Sequence, residues 1–109
     1  MNDNNNIIAV VVTHNRLELL KKVIDNLKNQ TYKIDAIVVI NNASTDGTEE
    51  WLKSQSDLEY VTQGNLGGAG GFNTGLQYAY KHNYEWIWFM DDDVLPQANC
   101  LEELMHAFI

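Results

Sequence analysis

Apolar residues in this chain fall into two rhythms, unbroken runs and runs with helical spacing, and the two alternate along its length. The stretch IIAVVVT at 7–13 is continuous and β-branched. Such a run predicts a strand buried on both faces, as in a parallel sheet. Residues 15–30 place Leu17, Leu20, Val23, Ile24 and Leu27 on one helical face. AIVVIN at 36–41 repeats the buried-strand pattern, and 44–54 opens a short helix with Asp46 and Glu49 spaced as a capping pair. LEYVT at 58–62 predicts a weaker third strand. QGNLGGAGGFNTG at 63–75 reads as a glycine-rich loop that leads into a helix through about His82. WIWFM at 86–90 predicts a fourth strand. Pro96 suits the first turn of a last helix, whose apolar face is Leu101, Leu104, Met105 and Phe108.

Strands alternating with helices imply an α/β class with a mostly parallel, doubly wound sheet. In such sheets ligands bind beyond the carboxyl ends of the strands. The unusual stretches all fall there. Thr13-His14-Asn15 follows the first strand, Asn41-Asn42 the second, the glycines the third, and Asp91-Asp92-Asp93 the fourth. Four separate segments therefore converge on one rim.

Composition narrows the partners. The 109 residues suit one domain with a modest core, and 45% hydrophobic residues argue against disorder. With 15 acidic against 7 basic residues the formal charge is −8. That is no electrostatic footprint for nucleic acid or an anionic membrane surface. The single cysteine, Cys100, allows no intrachain disulfide, so a reduced, cytoplasmic setting is expected. No apolar run approaches the roughly 18 residues of a membrane span, so no transmembrane segment is expected. MNDNNN at 1–6 lacks the basic region of a signal peptide and reads as a disordered tail.

The aspartates carry the sharpest signal. Three adjacent carboxylates repel one another and cannot all be buried and ionised without a counter-charge. One reading is a solvated turn with an acidic cap on the last helix. The other is a divalent cation held by oxygen ligands, which in turn binds a ligand's phosphates. On extended backbone, i and i+2 point the same way, so Asp91 and Asp93 would face one site while Asp92 turns away or meets another part of the ligand. The strand-end position favours the cation.

The glycine segment fits neither the dinucleotide fingerprint, since position 73 is Asn, nor the ATP phosphate loop, since no Lys follows Gly75. Gly67, Gly68, Gly70 and Gly71 permit close approach of a ligand to the main chain, and amides at the following helix start suit an anion. A flexible surface loop is the alternative. Asn65, Phe72 and Asn73, interleaved with the glycines, favour a shaped one. His14 lies on the rim, where it either contacts ligand or is simply solvated. His82, His106 and Cys100 show no zinc-ligand spacing.

VVVTHNR, VINNASTDGT, NLGGAGGFNTG and FMDDDV, in that order, resemble the nucleotide-binding half of the large inverting "family two" glycosyltransferases with the GT-A (Rossmann-like) fold. The GGAGGF form is similar to galactofuranosyltransferases and rhamnosyltransferase-like members. The resemblance covers 7–109. It implies a donor that is a nucleotide-diphosphate sugar, UDP- or dTDP-linked, carrying for example galactofuranose or rhamnose. It implies a glycan or lipid-linked acceptor, Mn2+ or Mg2+, and a role in cell-wall or polysaccharide synthesis, peripheral to the membrane in a longer protein. Donor-binding residues carried over are Thr13, His14, Arg16, Asn41, Asn42, Asn65, Gly67, Gly68, Asn73, Asp91 and Asp92, with Asp91 and Asp93 on the metal as a DxD motif. Asn41 or Asn42 stands where family members usually carry an acid that reads uracil, Phe72 where many carry an arginine, and Asp46 where the turn acid is structural. The catalytic base, and a further metal-binding histidine, are expected beyond residue 109, so this chain is expected to bind donor without turnover and to self-associate through uncovered apolar surface.

Rival readings are a phospho-receiver domain, a non-catalytic nucleotide-binding module and a nucleotidyltransferase. The first needs acids after strand one and a late loop lysine, whereas strand one ends Thr13-His14-Asn15 and Lys81 sits within a helix. The last usually carries basic residues in the first glycine loop, which this chain lacks.

Overall fold

The computed structural model describes residues 6–65 and 67–108. The element order is β1 (Ile7–Thr13), α1 (Leu17–Lys28), β2 (Ala36–Asn42), α2 (Thr48–Lys53), β3 (Glu59–Gln63), α3 (Gly67–Lys81), β4 (Trp86–Asp91) and α4 (Cys100–Phe108). The four strands form one parallel sheet in the order β3-β2-β1-β4. β1 sits inside it and every one of its residues is buried, as its unbroken apolar run requires. The disordered tail expected at 1–6 falls, apart from Asn6, outside the described residues. Asn6 is held by Glu85 and Trp86, whose amides donate to its carbonyl.

Side-chain alternation sorts the helices onto two faces. Ala9, Val11, Ile37 and Val39 point to one side and meet Leu20, Val23, Ile24 and Leu27 of α1 and Leu52 of α2. Burying an aliphatic side chain of this kind is worth about 1.5–3 kcal/mol over leaving it exposed. Ile8, Val10, Val12, Val38 and Ile40 point to the other side, where Ala79, Phe72 and Tyr78 of α3 pack. This division follows from handedness. Right-handed crossovers from β1 to β3 lay α1 and α2 on one face, and the reversal from β3 back to β4 lays α3 on the other. Leu101 and Met105 anchor α4 against Ile7, Trp86 and Trp88.

Two elements start elsewhere than the sequence pattern suggests. The glycine segment read as a loop over 63–75 is largely helix, since α3 begins at Gly67. Close packing is the reason. A Cβ at Gly71 would lie 2.6 Å from Val12 Cγ1, and one at Gly75 would lie 2.3 Å from Val10 Cγ1. Gly71 and Gly75, four apart, give α3 a side-chain-free face that sits directly on β1, whereas Gly67 at the helix start faces open space. Helix α4 begins at Cys100, four residues after Pro96. The intervening segment is pinned to α1, because Asn26 Nδ2 donates to the Pro96 carbonyl at 2.7 Å and Gln30 Nε2 to that of Gln97 at 2.8 Å.

The glycine face yields a test. Alanine in a helix interior gains about 0.5–1 kcal/mol over glycine. Overpacking a tight contact costs about 1–3 kcal/mol, and valine is too stiff at χ1 to yield easily. Gly75→Ala is therefore expected to lower the thermal midpoint, while Gly64→Ala, which meets open space, leaves it nearly unchanged. Equal midpoints in calorimetric scans of the two variants would contradict the packing account.

Candidate functional site

Strand order reverses between β1 and β4, and the carboxyl ends of those two strands frame a cavity of about 210 Å³. Its lining is Val12, Thr13, His14, Arg16, Asn42, Asn65, Gly67, Asp91 and Asp92. Register explains the meeting: Val12 pairs with Asp91 across β1–β4, and Thr13 with Asn41 across β1–β2. A larger cavity of about 350 Å³ at the start of β2 is lined by Lys28 and Asp57, which pair with each other, and holds none of the rim motifs.

The three aspartates part ways. Asp92 is 3% exposed, whereas Asp91 and Asp93 are exposed. The Asp92 carboxylate takes the Thr13 hydroxyl at 2.8 Å on Oδ2 and Arg16 Nη1 at 3.2 Å on Oδ1. Thr13 is itself 1% exposed, so a buried hydroxyl and the chain's one arginine satisfy a buried anion. Arg16 Nη1 also lies 3.8 Å from Asp93 Oδ2. A resident cation thus sits against the acidic turn.

The two asparagines after β2 are buried and internally engaged. Asn41 Nδ2 donates to Thr62 Oγ1 at 3.4 Å, and its Oδ1 accepts the Ser44 amide at 3.3 Å. Asn42 Nδ2 donates to the Gly67 carbonyl at 3.1 Å, and its Oδ1 accepts Gln63 Nε2 at 2.8 Å. The Asn42 carbonyl can only accept, so His14 donates to it from Nδ1–H. That tautomer leaves His14 Nε2 as an acceptor, with Asn15 Nδ2 3.4 Å away.

Asn15 and Asp46 tie the first two rim loops together. Asn15, at φ 53°, accepts the Thr45 amide at 2.6 Å, and its own amide donates to Ser44 Oγ at 3.0 Å. Asp46 accepts the Leu17 amide at 3.0 Å and the Thr48 amide at 3.3 Å, so one carboxylate serves the starts of α1 and α2.

The structure brings Thr13, His14, Arg16, Asn42, Asn65, Gly67, Asp91 and Asp92 to one cavity. Asn41 is buried behind it, Asn73 is exposed on α3, and Asp93 flanks it beside Arg16. Gly68 falls in the first turn of α3. Phe72 is half-buried against the core, and its ring meets Phe89 edge-on with centroids 5.4 Å apart. Sequence reasoning passed over Gln63 and Thr74, which hold the Asn42 side of the cavity through hydrogen bonds. No local pattern marks them, because they lie 11 residues apart on different elements.

Residues 8–109 match the Glycosyl transferase family 2 pattern. The chain belongs to glycosyl transferase family 2. Among its family 2 relatives is galactofuranosyltransferase GlfT1 of Mycolicibacterium smegmatis, 39% identical over 92 residues, spanning 83% of this chain and 30% of that protein. Among solved structures, the mannosyltransferase PcManGT from Pyrobaculum calidifontis, in complex with GDP-Man and Mn2+, superposes with a TM-score of 0.65 at 30% identity, covering 83% of this chain and 28% of that one. Staphylococcus aureus TarS 1-349 in complex with UDP superposes with a TM-score of 0.78 at 21% identity, over 93% of this chain and 31% of that one, and shares the fold. The family 2 chain spans about 30% of the length of the curated relatives it matches first. Its four-stranded parallel sheet with flanking helices is that of the GT-A glycosyltransferases. Among its described residues no helix is long and apolar enough to cross a membrane.

Asp46 gives the loop junction a pH signature. The Thr48 hydroxyl bonded to its carboxylate, aided by the Leu17 and Thr48 amides, holds its pKa below the usual 3.8 against a smaller opposing effect of burial. A lowered folded pKa stabilises the fold above the unfolded value and loses that contribution as pH falls through the folded one. The stability gap between wild type and Asp46→Ala is therefore expected at full size near neutrality and to shrink as pH falls below about 3.8. A gap independent of pH in urea titrations would contradict this.

Proposed function

We propose that this chain is the donor-binding part of an inverting glycosyltransferase that moves a sugar from a UDP- or dTDP-linked donor, galactofuranose or rhamnose being examples, to a glycan or lipid-linked acceptor. The observation that carries the proposal is the cavity at the β1–β4 reversal, with Asp91 in its wall and Asp93 exposed beside it. Open α/β sheets bind ligands at such a reversal. A galactofuranosyltransferase among the relatives, and the GDP-Man bound by a structural neighbour at 30% identity, support a nucleotide-sugar donor.

The residues fit a hard divalent cation. Asp91 and Asp93 offer exposed carboxylate oxygens, the donor type that Mn2+ and Mg2+ prefer, and a cationic side chain already lies 3.8 Å from Asp93. Among the described residues no group of three or more His, Cys, Asp or Glu is placed to hold a metal alone. Two aspartates would then leave coordination positions for phosphate oxygens and water. Mn2+ or Mg2+ bound there supplies Lewis-acid stabilisation to a diphosphate leaving group. Asp92, engaged by Thr13 and Arg16, braces the turn and keeps its neighbours facing outward. Arg16 is the one lysine or arginine in the cavity lining and is placed to meet phosphate charge. Asn65 and Gly67 form the opposite wall, where the Gly67 amide is already taken by Asn65 Oδ1 at 3.0 Å.

The outer edge of β4 supports the proposal that copies of the chain associate. Phe89 is 37% exposed and Leu76 47% exposed. Leu76 and Tyr80 continue the helical row that starts at Phe72, alongside the strand that lies last in the sheet order among the described residues.

Titration calorimetry with UDP and dTDP, with and without Mn2+, tests the donor site. Binding is expected to require the cation and to weaken at least about tenfold in Asp91→Ala and in Asp93→Ala. Equal affinity without metal, or wild-type affinity in both variants, would contradict the proposal.

A further inference from the structure

Three side chains outside the aspartate turn form a directed chain of hydrogen bonds along the opposite wall. Thr74 Oγ1, on α3, lies 2.8 Å from Gln63 Oε1 at the end of β3. Gln63 Nε2 lies 2.8 Å from Asn42 Oδ1 at the end of β2. Asn42 Nδ2 lies 3.1 Å from the Gly67 carbonyl, back at the start of α3. The direction of this relay is fixed by its far end. A main-chain carbonyl only accepts, so Asn42 must present its NH2 to Gly67 and its oxygen to Gln63. Gln63 must then present its own NH2 to Asn42, and its oxygen is left for the Thr74 hydroxyl to donate to. The single Thr74 hydroxyl proton is shared with the Gly70 carbonyl, 3.0 Å away within the same helical turn.

The relay closes a loop through space. It leaves α3 at Thr74, crosses β3 and β2, and returns to α3 at Gly67. His14 joins it from the turn after β1 through the Asn42 carbonyl. Gly67 has φ +74° and no side chain to pack, and Asn42 has its side-chain nitrogen 3.0 Å from where a Gly71 Cβ would be. The first turn of α3 thus has little apolar anchorage of its own, and polar contacts hold it.

We propose that Gln63 and Thr74 are positioning residues. Acting through Asn42, they fix the first turn of α3, and with it the cavity wall at Asn65 and Gly67, where the nucleotide of the donor is received. This rests on the donor-binding reading above. It also gives the Asn42 amide a different task from reading a base edge, since its oxygen and one of its N–H groups are committed within the relay. An acid at 42 or 63 breaks the relay, because each would set two acceptors face to face.

The test combines calorimetry with UDP and Mn2+ and amide hydrogen exchange on the same chain. Thr74→Val and Gln63→Glu are each expected to weaken UDP binding roughly tenfold, about what one lost hydrogen bond is worth. Each is expected to speed exchange over 70–73 in the first turns of α3 with little change at β1. Thr74→Ser, which restores a hydroxyl, is expected to return both readouts to wild-type values. Wild-type UDP affinity in both variants, or exchange over 70–73 left unchanged, overturns the inference alone. A wild-type chain that binds no nucleoside diphosphate overturns the donor-binding reading and this inference with it. Accelerated exchange throughout the sheet, without recovery in Thr74→Ser, also overturns it, since that marks general destabilisation.

Discussion

A buried carboxylate must find donors inside the protein, and the arrangement of this rim follows from how Asp92 does so. Its oxygens take the Thr13 hydroxyl and the Arg16 guanidinium, both from the end of β1 and the turn after it. Removing either partner would leave the buried Asp92 carboxylate poorly matched, and the half-exposed Arg16 contributes less than a fully buried partner would. The interaction therefore fixes the end of β4 against the end of β1. Asp91 and Asp93 flank an inward-turned residue and are left at the surface. Like charges accumulate there because one of them is neutralised from within and the other two are offered outward.

The opposite wall is built on a different principle. Helix α3 reaches β1 only because Gly71 and Gly75 present no side chain to Val12 and Val10. Close approach brings the start of the helix level with the strand ends, where Asn42 and Gln63 can reach it. Packing sets the depth of the helix, and hydrogen bonding sets the position of its first turn. The cavity lies between a wall held by charge and a wall held by amides.

Much of this was legible in the sequence for a physical reason. Strands of a parallel sheet are buried on both faces, so IIAVVVT and AIVVIN announce themselves, and the rim motifs follow them directly. The glycine segment misleads because glycine content signals a loop locally. Its helical role depends on Val10 and Val12, some sixty residues earlier in the chain, whose facing surfaces no local pattern reveals. Pro96 misleads in the same way: it suits a helix start, but contacts from Asn26 and Gln30 hold the segment around it as a connection ahead of α4. Alternation along extended backbone separates Asp92 from its neighbours in the sequence. Only the packed structure shows that Asp92 turns inward, toward Thr13 and Arg16. The Thr74–Gln63 contact joins residues 11 apart on different elements and leaves no periodic trace.

The central claim is that the outward carboxylates at the end of β4 hold a divalent cation for a diphosphate. Paramagnetic broadening of amide resonances by Mn2+, titrated in the presence of UDP, tests it most directly. The account predicts loss of signal first at Asp91, Asp93 and Val94, then at Thr13 and Gly67 across the cavity. Broadening that begins instead at the acidic starts of α2 or α4, around Glu49 and Glu50 or Glu102 and Glu103, would contradict it.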